Sequence, residues 1–127
     1  MPAYFNNNLY YVPVGSPILR FQFSNAKLLS TVAAKSSNSF PYPGTTPSIS
    51  ANAGKNAIVW AAEHTTPAVL HAYNARTLVE IFNTNQAPGG RDQFGTGNKF
   101  NTVMIAHGKV YVGTTNGVGV FGLLSAK

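Results

Sequence analysis

Residues 57–82 read AIVWAAEHTTPAVLHAYNARTLVEIF, and this stretch decides the fold class. It holds three short apolar segments, at 58–61, 69–73 and 78–82, that are rich in the β-branched and aromatic residues that strands prefer. Turn-forming residues separate these segments. Because no long segment here or elsewhere in the chain carries the 3.6-residue period of a helix, the sequence predicts an all-β protein.

The predicted strands repeat as a group. The segment at 23–28 resembles the segment at 73–78, fifty positions later. The segment at 8–12 is matched with the segments at 57–61 and 109–113. A period near fifty residues, with about four strands in each unit, is typical of β-propeller blades rather than of a helical solenoid.

This repeat divides the chain into about three blades of antiparallel strands. We place the blades at about 2–39, 46–85 and 100–124, which makes residues 1–127 a partial β-propeller. The third blade has three predicted strands instead of four. The strands are expected near 3–6, 9–14, 18–23 and 28–34, near 47–51, 57–63, 68–73 and 78–83, and near 101–106, 109–114 and 118–124.

Three blades do not close a ring, because propellers usually have four to eight. We therefore expect the first and third blades to present bare apolar faces, and large faces of this kind mark association sites. Either oligomerisation or sequence outside this chain would complete the propeller. A head-to-tail contact that closes gives a ring, and two copies would supply six blades.

The composition excludes several classes of protein. The chain has 127 residues, and only 9% of them are charged, which disfavours surface helices. Its nine lysines and arginines, against three acids, are spread along the sequence, so we do not predict nucleic-acid binding. No apolar run has the length of a transmembrane helix, and residues 1–15 lack the features of a signal peptide. The absence of cysteine excludes disulfides and thiolate metal sites.

One segment resembles a known repeat. The sequence AYNARTLVEIF at 72–82 is similar to the pyrroloquinoline-quinone (PQQ) repeat, whose pattern is Ala-x-Asp-x-x-Thr-Gly-x-x-x-Trp. The segments at 40–53 and 99–124 look like the penultimate region and the last blade of PQQ-like β-propeller repeat proteins. The resemblance covers nearly the whole chain. Within 72–82, Ala72 and Thr77 match the pattern, and Asn74, Leu78 and Phe82 replace its Asp, Gly and Trp.

The resemblance implies a fold rather than a cofactor. In that motif the Asp, Thr and Gly shape a turn, and the Trp packs between blades. Quinone-dependent dehydrogenases of this fold carry a vicinal cysteine pair, acidic calcium ligands and an Asp base, whereas this chain has no cysteine and only Glu63, Glu80 and Asp92 as acids. We predict no cofactor, no catalytic residue and no metal site. Because such proteins are mostly bacterial and often exported, the resemblance implies a secreted or periplasmic location.

The long loop at 83–99 holds the densest group of candidate ligand-binding residues. Gly89 and Gly90 would let backbone N–H groups approach a ligand. Arg91 would clamp a carboxylate or phosphate, and Asp92 would accept a hydrogen bond from a sugar hydroxyl or supply one metal ligand. Lys99, at the end of the loop, is a further candidate. The alternative interpretation is that Arg91 and Asp92 only hold a long connection in place.

The aromatic residues and histidines have structural alternatives too. Trp60 is a candidate for stacking on a sugar ring, but aromatic residues in strands more often pack between blades. His64, His71 and His107 lack the i, i+4 spacing of a helical zinc pair, and no Gly-x-Ser-x-Gly elbow presents a nucleophile. We read all three histidines as ordinary strand or turn residues.

Three functions stay open at this point. The first is a non-catalytic repeat module with a structural or binding role, which associates with itself head to tail and has a glycan or a protein as ligand. The second is the C-terminal part of a quinone-dependent oxidoreductase whose upstream sequence supplies the cysteine pair and the calcium ligands. The third is a lectin-like propeller that binds glycans.

Overall fold

The computed structural model, which describes residues 1–124, confirms the all-β prediction. Three antiparallel sheets follow one another along the chain, and no α-helix occurs within those residues. The sheets do not close into a barrel or ring. Sheet 1 contains β1 (Ala3–Phe5), β2 (Asn8–Tyr11), β3 (Leu19–Ser24), β4 (Lys27–Leu28) and β5 (Ala34–Lys35).

Sheets 2 and 3 are plain meanders in which each strand pairs with the next along the chain. Sheet 2 contains β6 (Ser48–Asn52), β7 (Lys55–Glu63), β8 (Val69–Asn74) and β9 (Glu80–Asn83). Sheet 3 contains β10 (Met104–Ala106), β11 (Lys109–Gly113) and β12 (Val118–Phe121). The strand bounds in the three sheets lie within about two residues of the expected ones, except that β10 starts three residues later than predicted, β2 and β12 end three residues earlier, and the strand predicted at 28–34 differs.

The single strand predicted at 28–34 is instead two short strands, β4 and β5, which both pair with β3. The Leu29 N–H donates to the Gln22 carbonyl, and the Ala33 N–H donates to the Arg20 carbonyl, each at 2.8 Å. Three residues therefore lie between Leu29 and Ala33, whereas only one residue of β3 lies between their partners Arg20 and Gln22. The surplus residues leave the ladder, and this splits the strand.

Sheet 2 lies between the other two sheets and buries both of its faces. The core between sheets 1 and 2 consists of Tyr10, Val12, Ile18, Phe40, Val59, Ala61, Tyr73, Ala75 and Leu78. The core between sheets 2 and 3 consists of Ala62, Leu70, Val103, Val110 and Val112. Neighbouring residues of one strand serve different cores because strand side chains alternate between faces.

The first strands of the three sheets lie side by side. β6 contacts both β1 and β10. Thr46, just before β6, forms a parallel bridge with Thr102, just before β10. The N-terminal ammonium of Met1 donates to the Thr46 hydroxyl at 3.0 Å. The sheets therefore stack like blades whose first strands face a common line.

The matching of segment 57–61 with segment 8–12 is wrong by one residue. It paired Tyr10 with Val59, yet Tyr10 faces sheet 2, whereas Val59 faces backwards to sheet 1. The pairing of β6 with β7 shifts between Ser50 and Asn52, and Asn56 of β7 has φ +52°. This β-bulge adds one residue near the start of β7. The extra residue shifts by one position which residues face sheet 1, and this accounts for the mismatch.

The segment that resembles the PQQ repeat forms the turn from β8 to β9. The Asn74 side-chain oxygen accepts the N–H groups of Arg76 and Thr77 at 2.9 and 3.1 Å. The Thr77 hydroxyl accepts the Val79 N–H at 3.3 Å. Leu78, where the repeat pattern has Gly, has a left-handed backbone with φ +56° and a buried side chain. The polar residues of this segment thus shape a turn.

Candidate functional site

Sheet 1 turns an apolar face away from sheet 2, and we call it face 1. Cross-strand pairing places its residues on one side of the sheet, opposite the side on which Phe5 and Tyr10 contact sheet 2. Tyr4 is 61% exposed and stacks edge-on against Phe23, with 5.7 Å between ring centroids. Face 1 consists of Tyr4, Leu9, Tyr11, Leu19, Phe21, Phe23 and Leu28, with Lys35 of the outer strand β5 opposite Leu19.

Sheet 3 turns a second apolar face outward, and we call it face 3. It consists of Met104, Ala106, Tyr111, Gly113, Val118 and Val120, with Lys109 opposite Ala106, and these residues alternate with those that pack on sheet 2. Val118 and Val120 are 62% and 53% exposed. Within residues 1–124 the strand β12 pairs only with β11, so sheet 3 lacks the fourth strand that sheet 2 has.

The two faces differ in the size of their side chains. Face 1 is formed by large rings and leucines, whereas face 3 combines an alanine, a glycine and two valines with the larger Met104 and Tyr111. The buried contact between sheets 1 and 2 is built in the same way, since Phe5 and Tyr10 pack against a surface that includes Ala57 and Ala61. Large side chains opposite small ones fill the space between two sheets without voids.

The loop that connects sheets 2 and 3 is held by its backbone and by one aromatic ring. The Ala68 N–H donates to the Gly95 carbonyl at 2.8 Å, and the Gly97 N–H donates to the Thr65 carbonyl at 2.9 Å. Phe94 packs on the second core. Gly89 and Gly90 have φ +63° and +68°, so both adopt a conformation that favours glycine.

Arg91 and Asp92 bind each other in this loop. The guanidinium donates from Nε and from one Nη to the two Asp92 oxygens at 2.7 and 2.9 Å. Hydrogen bonding to Arg91 lowers the pKa of Asp92, and the same pair raises the pKa of Arg91. Because the partners are adjacent in sequence, the pair connects the loop to no other element, and it occupies the donors that were expected to clamp a ligand.

The other two predicted ligand-binding residues lie in separate surroundings. Trp60 is half-buried, packs against the second core and donates from Nε1 to the Ser50 hydroxyl at 2.8 Å. It therefore has the packing position that strand aromatics more often have. The Lys99 ammonium lies 4.9 Å from the ring centroid of Tyr42, a cation–π contact at the surface.

A buried polar network, which the sequence reasoning missed, centres on His71. Its Nδ1 lies 2.5 Å from Glu80 Oε1, and its Nε2 lies 3.1 Å from Glu63 Oε1. The ring stacks on Tyr73 with 5.9 Å between centroids. Two of the three acids of the chain thus flank one imidazole, in the contact between sheets 1 and 2. Asn38 and Asn83 complete this His71 network.

The His71 network is closed, because its polar groups bind one another. The Asn38 amide donates to Glu63 at 3.4 Å, and the Tyr73 hydroxyl donates to the Asn38 side-chain oxygen. Burial, with a further contribution from Glu80, raises the pKa of Tyr73, which keeps the phenol protonated as a donor. His71 is 6% exposed, so the network joins strands and leaves little room for a substrate.

The sequence held a weak sign of this network. Glu63, His71 and Glu80 lie in three successive strands of one meander. Their meeting depends on the register of two hairpins, which the sequence did not give. No group of three metal-ligating side chains arranged around a common point occurs within residues 1–124. No helix in that range is long and apolar enough to cross a bilayer.

Comparisons with known proteins do not identify a family for this chain. No model of a protein family matches the chain, and no curated protein matches it either. The resemblance to PQQ-like repeats therefore stays a prediction.

Proposed function

We propose that the chain is a non-catalytic β-propeller repeat module with a structural or binding role, and that copies of it associate head to tail. The observation that carries this proposal is the pair of bare apolar faces, face 1 and face 3, at opposite ends of the stack of sheets. Each sheet contact inside the chain buries a surface of the same kind. A second copy is therefore the occupant that these faces fit.

The energetics favour such a contact. Burial of a fully exposed large apolar side chain contributes about 1.5–3 kcal/mol. Three of the seven apolar residues of face 1 are exposed and the other four are half-buried, so each contributes a part of that amount. That gain has to exceed the loss of translational and rotational freedom on association. The match of large rings on face 1 with small residues on face 3 makes a head-to-tail contact better packed than a contact of face 1 with itself.

The blade interpretation rests on three further observations. The sheets follow one another as meanders, their first strands lie side by side, and the turn from Asn74 to Leu78 has the polar contacts and the left-handed residue expected from the repeat pattern. The resemblance to PQQ-like proteins supports a secreted or periplasmic location, and that location is part of the proposal.

Native mass spectrometry and sedimentation velocity over a dilution series test the association. We expect a closed oligomer or a longer assembly at micromolar concentration. Tyr11→Lys places a charge on face 1, and Val120→Lys places one on face 3. Each variant should be monomeric because its chain keeps only one intact face. Ile81→Lys, at a 53% exposed residue of β9 outside both faces, is the matched control and should assemble as the unmodified chain does.

Mixing the two face variants tests the direction of the contact. Tyr11→Lys keeps face 3 and Val120→Lys keeps face 1, so a head-to-tail contact produces a heterodimer and nothing larger. If Val120→Lys alone dimerises, the contact joins face 1 to face 1 and the head-to-tail proposal is wrong. A well-folded monomer of the unmodified chain at micromolar concentration contradicts self-association altogether.

A further inference from the structure

A polar cleft opens between sheets 1 and 2 at the end where their hairpin turns lie. It has a volume of about 620 Å³ and is lined by the β1–β2, β6–β7 and β8–β9 turns together with the adjacent strand ends. That size is in the range of small-molecule sites. The cleft lies within one copy of the chain and on the opposite side of sheet 1 from face 1, so it does not depend on association.

The charged residues that line this cleft are all basic. Arg20 comes from β3, Lys55 from the start of β7, and Arg76 from the turn after β8. The acids of the chain are engaged elsewhere, since Glu63 and Glu80 contact His71, and Asp92 contacts Arg91. No acidic residue lines the cleft, so its positive charge has no internal counter-ion.

Arg20 is the inner basic residue of the cleft. It lies on the face of sheet 1 that is turned to sheet 2, opposite Tyr10 in the strand register, and is half-buried. One Nη donates to the Asn8 side-chain oxygen at 2.7 Å. Its Nε is the one buried side-chain nitrogen or oxygen within residues 1–124 that has no hydrogen-bond partner. Because Nε is shielded from solvent, the second Nη, which is neither buried nor hydrogen-bonded, is the Arg20 donor that a ligand in the cleft can reach.

The oxygens of Asn8 and Asn74, two of the five amide side chains that line the cleft, are already engaged. The Asn74 oxygen already accepts two backbone N–H groups, which leaves its Nδ2 as a donor. Both the oxygen and the nitrogen of the Asn8 amide form hydrogen bonds. The oxygen accepts from Arg20, and Nδ2 donates to the Asn6 carbonyl at 2.7 Å. A cleft that offers guanidinium, ammonium and amide donors fits a ligand rich in acceptors.

We propose that this cleft binds a small organic molecule through an oxyanion group, a carboxylate or a phosphate. The solvent-facing Nη of Arg20 and the guanidinium of Arg76 donate to the oxyanion, and Lys55 adds positive charge. Guanidinium groups match the geometry of both oxyanions. The remaining volume accommodates a polar body of about the size of one sugar ring.

Titration with three probes that share one body tests the proposal. Glucuronate carries a carboxylate, glucose 6-phosphate carries a phosphate, and glucose carries neither. We expect saturable binding of one or both anionic probes, weakened by salt, with a shift of the Arg20 Nε–H resonance in nuclear magnetic resonance spectra. The tighter of the two identifies the oxyanion. Equal binding of glucose, or no saturable binding of either anion, overturns the proposal.

Matched variants locate the binding. Arg20→Gln should weaken binding of the preferred anion about tenfold or more, since a charged hydrogen bond is lost. Arg76→Gln should weaken it severalfold. Arg91→Gln removes the same charge outside the cleft and should leave the affinity unchanged. If all three variants weaken binding equally, the attraction is nonspecific and no site exists. If Arg20→Gln does not fold, Arg76→Gln compared with Arg91→Gln decides the question.

Discussion

Sheet 2 contacts its two neighbours in different ways. On the side of sheet 1, polar groups are buried among the apolar ones: the Tyr10 hydroxyl donates to the Ala75 carbonyl at 2.9 Å, and His71 lies between two carboxylates. On the side of sheet 3, the buried core is aliphatic, and Phe94 packs edge-on against Phe121 with 5.1 Å between ring centroids. One hydroxyl hydrogen bond, from Ser48 to the Val103 carbonyl, crosses this contact.

This difference concerns how strictly each contact fixes its partner. Buried hydrogen bonds are satisfied in one alignment only, and a displaced sheet 1 would leave the Tyr10 hydroxyl without its acceptor. Apolar packing tolerates other partners of similar volume. The hydrogen bonds therefore fix the contact between sheets 1 and 2 in one alignment, whereas the contact between sheets 2 and 3 depends mainly on the fit of apolar side chains, as the proposed contact of face 1 with face 3 does.

Removing the imidazole should have the largest effect on the polar contact. We expect His71→Leu to lower the free energy of unfolding by about 3 kcal/mol at neutral pH. The substitution leaves Glu63 and Glu80 facing an apolar side chain without the group that joins them. Each carboxylate loses a hydrogen-bond partner, and both are partly open to solvent, which limits the cost. Urea unfolding at one fixed protein concentration measures the loss.

A combined variant separates charge from packing in the His71 network. Glu63→Gln, Glu80→Gln and His71→Leu together remove the unpaired charges along with the imidazole, and we expect at least half of the lost stability to return. If the triple variant is as unstable as His71→Leu, the loss comes from packing alone, and the polar account of this contact is wrong.

The apolar contact should be broken by volume rather than by charge. A Cβ atom added at Gly119 would lie 2.7 Å from Phe94 Cδ2 and 3.0 Å from Phe121 Cε2. Both rings would have to move, so we expect Gly119→Ala to cost about 2 kcal/mol. Gly117→Ala is the matched control, because its nearest neighbour, Thr114 Oγ1, lies 3.8 Å away. Its cost should stay within about 0.5 kcal/mol.

Urea unfolding of both glycine variants checks this contrast. A crystal structure of the Gly119→Ala variant, or its chemical shifts in nuclear magnetic resonance spectra, should show changes at the two rings and at β12. The His71 network should be unaffected. Equal stability of the two variants would mean that the contact between sheets 2 and 3 is loose enough to absorb a methyl group.

The sequence predicted the strands well and the contacts between sheets poorly. The strands of sheet 2 were predictable because apolar alternation and turn residues are local properties. The bulge at Asn56 was not, because an extra residue in a strand does not disturb its composition, although it reverses which face each residue takes. The meeting of Glu63, His71 and Glu80 depends on two registers at once, and the outward faces were predicted only as a consequence of the repeat.

Alkaline pH should weaken the polar contact without a direct effect on the apolar one, and this is the smallest effect we expect. Burial raises the pKa of Tyr10, against an opposing contribution from Arg20, and burial with Glu80 raises the pKa of Tyr73. Between the ordinary value of 10.0 and the raised values, the folded chain keeps phenol protons that the unfolded chain has lost. The stabilisation is therefore complete below pH 10 and falls as the pH rises above it.

Urea midpoints measured across that range should fall less steeply for Tyr10→Phe and Tyr73→Phe than for the unmodified chain, after a loss of about 1 kcal/mol each at neutral pH. Leu70→Val, which weakens the other contact and removes no phenol, should lower the midpoint equally at every pH. A pH dependence unchanged by both phenylalanine substitutions would show that these hydroxyls are not what distinguishes the two contacts.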